Sequence, residues 1–271
     1  MKSLIKIFTV LVLSCFFLPN GCTGLPRNTA TGGDPEGPLY QKAVQEESIL
    51  LYPDRKDRSP RMSFQFTLLD ASGPRNQKQF FRDVLYQGDS PEKYKEKILR
   101  RYEREYLEMY TAAEPEADFP RDSLNWFYIE TMERDKIAPQ AVVVRRTRDY
   151  YTGGAHGMRE TEYFVLDLIT MKRLSLEDTI SPGSTPALKA EVETALRDRA
   201  GLGPEKPLSQ GIYFEDTVDP SRNFFLNSQG MGFHWDPYEI TPYSEGSIEI
   251  IIPYNKIMKF LSPQALALIA S

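Results

Sequence analysis

Only two histidines occur in this chain, and each stands in a setting where an imidazole can do chemistry. His156 lies in "TGGAHG", and His234 opens the run "HWDPYE", two residues before Asp236 and five before Glu239. An imidazole titrates near neutral pH, so beside a carboxylate it can act as general acid or base, or as a metal ligand. A zinc site needs three or four converging ligands. The run at His234 lacks the helical His-x-x-x-His spacing of common zinc hydrolases. No metal and no cofactor are therefore expected. Nucleophilic catalysis is no better served. There is no Gly-x-Ser-x-Gly elbow, no Gly-rich phosphate loop and no CxxC motif. Asp236, Glu239 and Glu245 are carboxylates that a polysaccharide hydrolase would need as a pair, at a separation only folding can set.

The elements that must hold these residues are strands. "VVVRRTRDYY" and "ETEYFVLDL", on either side of TGGAHG, alternate as paired strands do. Gly153 and Gly154 permit positive φ without steric cost, so the segment between them reads as a tight or bulged β connection. His156 is then either pinned to nearby backbone or presented for binding. "DPYEITPYSEG" supplies a second irregular segment with two Tyr, two Pro and two Glu. Tyrosine brings large contact area with few torsions, which suits a binding surface; the competing reading packs Tyr238 and Tyr243 under the loop. The candidate binding residues are Tyr151, Gly153, Gly154, His156, Pro237, Tyr238, Glu239 and Tyr243. No catalytic residue is assigned.

Around them the pattern is mixed. "SILLYPD", "RMSFQFTLLD", "LNWFYIETME" and "AVVVRRTRDYY" read as strands. "SPEKYKEKILRRYEREYLEMY" is the clearest helix, capped by Ser90 with Pro91 at its first position. Tyr94, Ile98, Tyr102 and Tyr106 recur at four-residue steps, an aromatic stripe to lay on a sheet. "TPALKAEVETALRDRAGLG" is a second helix, "RNFFLNSQGMGFHW" a hairpin turning at Asn227–Gly230, "GSIEIIIPY" a strand, and "NKIMKFLSPQALALI" a short closing helix. Without regular βαβ alternation, the expected class is α+β, an antiparallel sheet with helices packed on one face.

Composition narrows the setting. The net charge of −5 comes with 26% charged residues of both signs interspersed, so no basic face invites nucleic acid. "RRTR" (145–148) reads as one solvated strand face. The first residues are unusual: Lys2 and Lys6 precede an apolar stretch and then Asn-Gly-Cys. That is a secretory signal, too short for a membrane span, which needs about 20 apolar residues. Its cut site resembles a bacterial lipobox with Cys22 as the lipidated residue; Cys15 is the other candidate, and a plain signal peptide the simpler alternative. Cys15 and Cys22 are the only cysteines, so a chain cut before Cys22 has no thiol to form a disulfide and relies on its core. The segments read as signal peptide (1–21), Gly/Pro-rich tether (22–44), an amino-terminal half (45–140) and a carboxyl-terminal half (141–271).

"YYTGGAHG" followed by "YFVLDLITMKRLSLEDTI", and then "FHWDPYEITPYSEGSIEIIIPY", resembles the extracytoplasmic domain of RsiV-type anti-sigma factors, which also occurs beside the catalytic unit of PdaC-type polysaccharide deacetylases. The two blocks span residues 142 to about 261; the segment 45–135 is only loosely similar. The resemblance implies one α+β unit in the cell envelope. It does not imply catalysis, because the deacetylase chemistry resides in a separate domain with its own metal ligands. It implies cell-wall glycan or a lysozyme-like protein as partner. The expectation is therefore a bacterial envelope lipoprotein, held to a membrane through Cys22 and carrying a non-catalytic recognition domain. The alternative is a hydrolase of envelope polysaccharide using His156 and a carboxylate.

Overall fold

A computed structural model describes residues 39–41, 44–52, 59–111, 124–138 and 140–269. The signal segment, Cys15 and Cys22 lie outside the described residues. Within the segment read as tether, Leu39–Gln41 already forms strand β1, since Leu39 is apolar and buries itself in the core.

After β1 come β2 (Gln45–Leu50), β3 (Arg61–Thr67), β4 (Leu69–Ala71), α1 (Arg75–Tyr86) and α2 (Pro91–Thr111). Strands β5 (Trp126–Ala138), β6 (Ala141–Tyr151), β7 (Met158–Asp167) and β8 (Lys172–Leu174) follow, then α3 (Leu176–Thr179) and α4 (Thr185–Arg199). The chain ends with β9 (Phe224–Leu226), β10 (Gly230–Trp235), β11 (Ile248–Pro253), α5 (Tyr254–Ile257) and α6 (Pro263–Ile269). The class is α+β, as the pattern predicts. A six-stranded sheet has the order β2-β3-β5-β6-β7-β8 and a three-stranded sheet the order β11-β10-β9; β1 pairs with β4. Every pairing is antiparallel except β3 with β5. Parallel neighbours cannot be joined by a tight turn and need a long crossover, which α1 and α2 provide.

One face of the large sheet carries Met62, Phe64, Phe66, Trp126, Tyr128, Met132, Val142, Val144 and Phe164, alternate residues of their strands. Helices α1 and α2 cover it. In α2, Tyr94, Tyr102 and Tyr106 face inward, as the four-residue spacing predicts. The Ser90 hydroxyl accepts from Lys93 N at 3.3 Å at the start of the helix. Helix α1 escapes the sequence reading. It starts at Pro74 with no side-chain cap and no acidic first turn, and Phe81, Leu85 and Tyr86 hold it to the sheet. Beneath the helices Glu130 is fully buried. It accepts hydrogen bonds from Tyr94 and Tyr128 and pairs with Arg146 at 3.2 Å and Arg148 at 3.7 Å. A buried carboxylate requires such partners.

The opposite face is covered only in part. Ala141, Val143, Tyr163 and Val165 pack against β9–β11 and α4, with Phe225 stacked on Tyr163 at 4.4 Å. The β9–β10 hairpin turns where predicted, with Asn227 Oδ1 accepting from the amides of Gln229 and Gly230. The closing segment is two short helices rather than one. A 3₁₀ turn at Met258–Phe260 follows α5, and Ser262 then starts α6, its hydroxyl accepting from Ala265 N ahead of Pro263. Pro263 has no N–H to continue an earlier helix, but it fits a first turn. Toward β2 and β3 the residues of this face are partly exposed. There Ser63, Gln65 and Thr67 alternate with the buried residues of β3.

Candidate functional site

TGGAHG joins β6 to β7. Gly153 and Gly154 have φ of 88° and 100°, the backbone region that glycine occupies without strain. The chain passes close to the end of α2 at Gly153, where a Cβ would lie 3.4 Å from Tyr110 Oη and 3.5 Å from Trp126 Nε1. Tyr151 braces the loop by donating its hydroxyl to the Gly154 carbonyl at 3.0 Å. His156 is therefore lifted out of the sheet end and exposed.

Its neighbours come from far along the chain. Nδ1 lies 3.0 Å from the Gly157 carbonyl, so in the neutral ring the proton sits on Nδ1. That leaves Nε2 as acceptor, 3.4 Å from the Tyr238 hydroxyl. The Tyr243 ring stacks on the imidazole with centroids 3.9 Å apart and planes 20° apart. Tyr243 also donates its hydroxyl to the Gly157 carbonyl at 2.7 Å, and Tyr238 stacks on Tyr243 at 5.6 Å. TGGAHG and DPYEITPY thus meet in one exposed three-ring surface.

Tyr238 is 53% exposed and adopts φ of 73°. A bulky residue in the left-handed region is an outlier, and such strain concentrates at functional sites. The turn that holds it uses Tyr238 N donating to the Thr241 carbonyl at 3.1 Å, with Asp236 N donating to Glu239 Oε2 at 2.6 Å. Among the sequence candidates, His156, Tyr238 and Tyr243 come together. Tyr151, Gly153 and Gly154 shape one loop. Pro237, which is buried, and Glu239 shape the other. Tyr243 does both jobs, half-buried by its hydroxyl contact with one ring face on His156.

His234 is buried elsewhere. Nδ1 lies 3.2 Å from Glu249 Oε2 and Nε2 lies 3.0 Å from Asp236 Oδ1. Burial opposes the charged ring, but the two carboxylate hydrogen bonds outweigh it and its pKa is pushed up to about 9. His234 is thus an imidazolium at neutral pH, donating from both nitrogens. Glu239, the carboxylate near it in sequence, instead caps the turn. Glu249 replaces it through the β10–β11 register, which sets His234 opposite Glu249. Tyr163 donates to Glu249 at 2.9 Å, and Thr161 N donates to Asp236 at 2.9 Å. Among the described residues no group of three or more His, Cys, Asp or Glu side chains is arranged to hold a metal ion.

Beside the rings an open cleft of about 830 Å³ runs between residues of β5, β6 and β7 and the Tyr243–Ser247 segment. Thr147, Asp149, Arg159 and Thr161 line its sheet side, with His234 and Tyr243 on the other. Arg159 holds Asp149 in a two-point pair, Nε–Oδ1 at 2.6 Å and Nη2–Oδ2 at 2.9 Å. Sequence reasoning missed these residues. The available signal was opposite charge at positions 149 and 159, which pair once the two strands are closed by TGGAHG.

Residues 177–255 match the family model described as "Protein of unknown function (DUF3298)". That span includes the DPYEITPY block and ends short of TGGAHG on the amino-terminal side. No curated protein matches the chain. Two crystal structures are similar in fold. A DUF3298 family member from Bacteroides fragilis NCTC 9343 superposes with a TM-score of 0.70 at 22% identity, over 87% of this chain and 99% of that one. A DUF3298 family protein from Pseudomonas aeruginosa PAO1 gives 0.56 at 20% identity, over 84% of this chain and 97% of that one. A shared DUF3298-type fold accounts for both.

Proposed function

We propose that this chain is an envelope lipoprotein whose folded part is a non-catalytic recognition module, gripping cell-wall glycan on the surface formed by His156, Tyr238 and Tyr243. The observation that carries this reading is the meeting of two distant loops in an exposed ring stack, one member of which is held in a strained backbone conformation. A sugar ring presents one face of C–H groups, which packs on an aromatic face and buries apolar area while its hydroxyls stay wet. The RsiV/PdaC-type resemblance of both loops supports an envelope location, and so does the signal-like amino terminus with Cys22 as lipid carrier. No helix among the described residues is long and apolar enough to cross a membrane.

The hydrolase alternative asks for a carboxylate at His156. The hydrogen-bond partners of that ring are instead a carbonyl and a phenol, and its flat face meets Tyr243. Full-length lipoprotein in detergent, mixed with isolated peptidoglycan, is expected to sediment with the wall, whereas the Tyr238→Ala and His156→Ala variants stay in solution. Equal sedimentation of wild type and variants would sink the reading. Retention on a lysozyme column in place of peptidoglycan would move the partner to a protein. Glycan cleavage lost in His156→Ala would move the chain to the enzymes.

A further inference from the structure

We infer that the cleft beside the ring surface is a second subsite, built for the continuing units of a neutral, hydroxyl-rich saccharide chain. The inference rests on the glycan reading above and extends it from one ring-binding surface to an extended site. Tyr243 connects the two, since its ring stacks on His156 while its side chain lines the cleft. A chain laid across Tyr238 and Tyr243 therefore enters the cleft without leaving contact with protein.

The chemistry of the walls selects the occupant. Each cation of the cleft is already paired: Arg159 with Asp149, Arg145 with Glu133, and His234 with Asp236 and Glu249. Glu245 adds a further carboxylate to the lining. With its cations neutralised, the cleft offers no field to attract phosphates or polyanions. What remains is hydrogen-bonding capacity. Thr131, Thr147, Ser244 and Ser247 line the cleft, and each hydroxyl both donates and accepts. The two-point Arg159–Asp149 pair is 63% exposed on its arginine side. Its planar edge sets fixed N–H donors beside carboxylate lone pairs, a pattern that adjacent sugar hydroxyls satisfy as donor and acceptor in turn. The cleft volume of about 830 Å³ falls within the ordinary range for ligand sites and is open to solvent, so a chain can run out of it.

The test uses β-1,4-linked N-acetylglucosamine oligomers of two, four and six units, titrated calorimetrically into full-length lipoprotein in detergent. Affinity is expected to rise with length. Arg159→Gln and Thr147→Val, two substitutions that leave the fold's core untouched, are expected to lower hexamer affinity about tenfold each while leaving the dimer unchanged. Tyr238→Ala is expected to weaken every length. Wild-type affinity that is flat with length, or a length gain that survives in both cleft variants, overturns the subsite and leaves the ring surface standing. A sulfated polyanion binding more tightly than the neutral hexamer also overturns it. If wild type binds no oligomer of any length, both the subsite and the glycan reading fall.

Discussion

Two groups of tyrosines in this molecule do opposite things. Under α2, Tyr94, Tyr102, Tyr106 and Tyr128 are buried. Tyr94 and Tyr128 donate to Glu130, and Tyr106 donates to the Leu124 carbonyl at 3.0 Å. Burial pushes all four phenols above the usual tyrosine range, because the phenolate would lose its water. At the other site Tyr238 is exposed, and its neighbours are the His156 and Tyr243 rings. A tyrosine becomes core where its hydroxyl finds a fixed acceptor and both ring faces are covered. It becomes a recognition surface where a face is left open. Regular spacing on α2 marks Tyr94, Tyr102 and Tyr106, with Tyr128 on β5 beneath them, and proline-flanked irregular backbone marks the second group.

The largest effect that tests this contrast is Tyr106→Ala, expected to cost about 3–5 kcal/mol in urea unfolding. Tyr238→Ala in the same experiment is expected to stay within about 0.5 kcal/mol. Equal losses would erase the distinction between the two groups.

His234 gives a pH signature. Its folded pKa of about 9 lies above its ordinary value of 6.5, so the stabilisation is fully present below about pH 6.5 and is lost as pH rises through 9. The fall is expected to be on the order of 3 kcal/mol between pH 6 and pH 9.5. It should be absent from His234→Gln in parallel unfolding curves. An identical slope in wild type and variant would show that the carboxylates at Asp236 and Glu249 do not hold the charge.

Backbone substitutions come next. Gly153→Ala is expected to cost about 1–2 kcal/mol, because alanine at φ of 88° meets the steric penalty of the left-handed region, with its Cβ in contact with Tyr110. Gly154→Ala, with open space around its Cβ, should show the conformational part alone. Thermal melts of the two decide whether the loop is held by φ alone or by docking on α2. The smallest stability effect belongs to Tyr238→Gly. Glycine relieves the φ of 73° while the lost ring contacts offset the gain, so stability changes by less than about 0.5 kcal/mol. Peptidoglycan sedimentation is lost all the same. A variant that is stable and still binds would show that the ring is not part of the surface.

Much of the fold was legible. Strict alternation in "RMSFQFT" gave β3 and its buried face. The tyrosine steps gave α2 and the surface it covers. The Asn227–Gly230 turn was readable because Asn and Gly supply the side-chain acceptor and the small residue such a turn demands. Helix α1 was not readable, because its start lacks capping chemistry and its register comes from Phe81, Leu85 and Tyr86 meeting the sheet. The parallel β3–β5 pair was equally hidden, since strand periodicity carries no information about direction. At the site, the sequence marked His156 and the DPYEITPY tyrosines as unusual, and of the two carboxylates it set near His234 only Asp236 pairs with the ring; the second partner is Glu249. Glu239 is near in sequence, whereas Glu249 is near only after β10 and β11 pair.

Residue order alone determined the alternating faces, the helical tyrosine stripe, the glycines that release the β6–β7 turn and the proline-braced loop near the end. These follow from local sterics and from a spacing of two or about four residues, which act over one element at a time. The tertiary structure decided that His156 meets Tyr238 across 82 positions of sequence, that Tyr243 lies flat on the imidazole, and that part of one sheet face stays uncovered as a cleft. Those outcomes depend on how the large sheet, the small sheet and the loop after β10 pack together. Packing sums weak contacts over the whole core, so no short stretch of residues contains it.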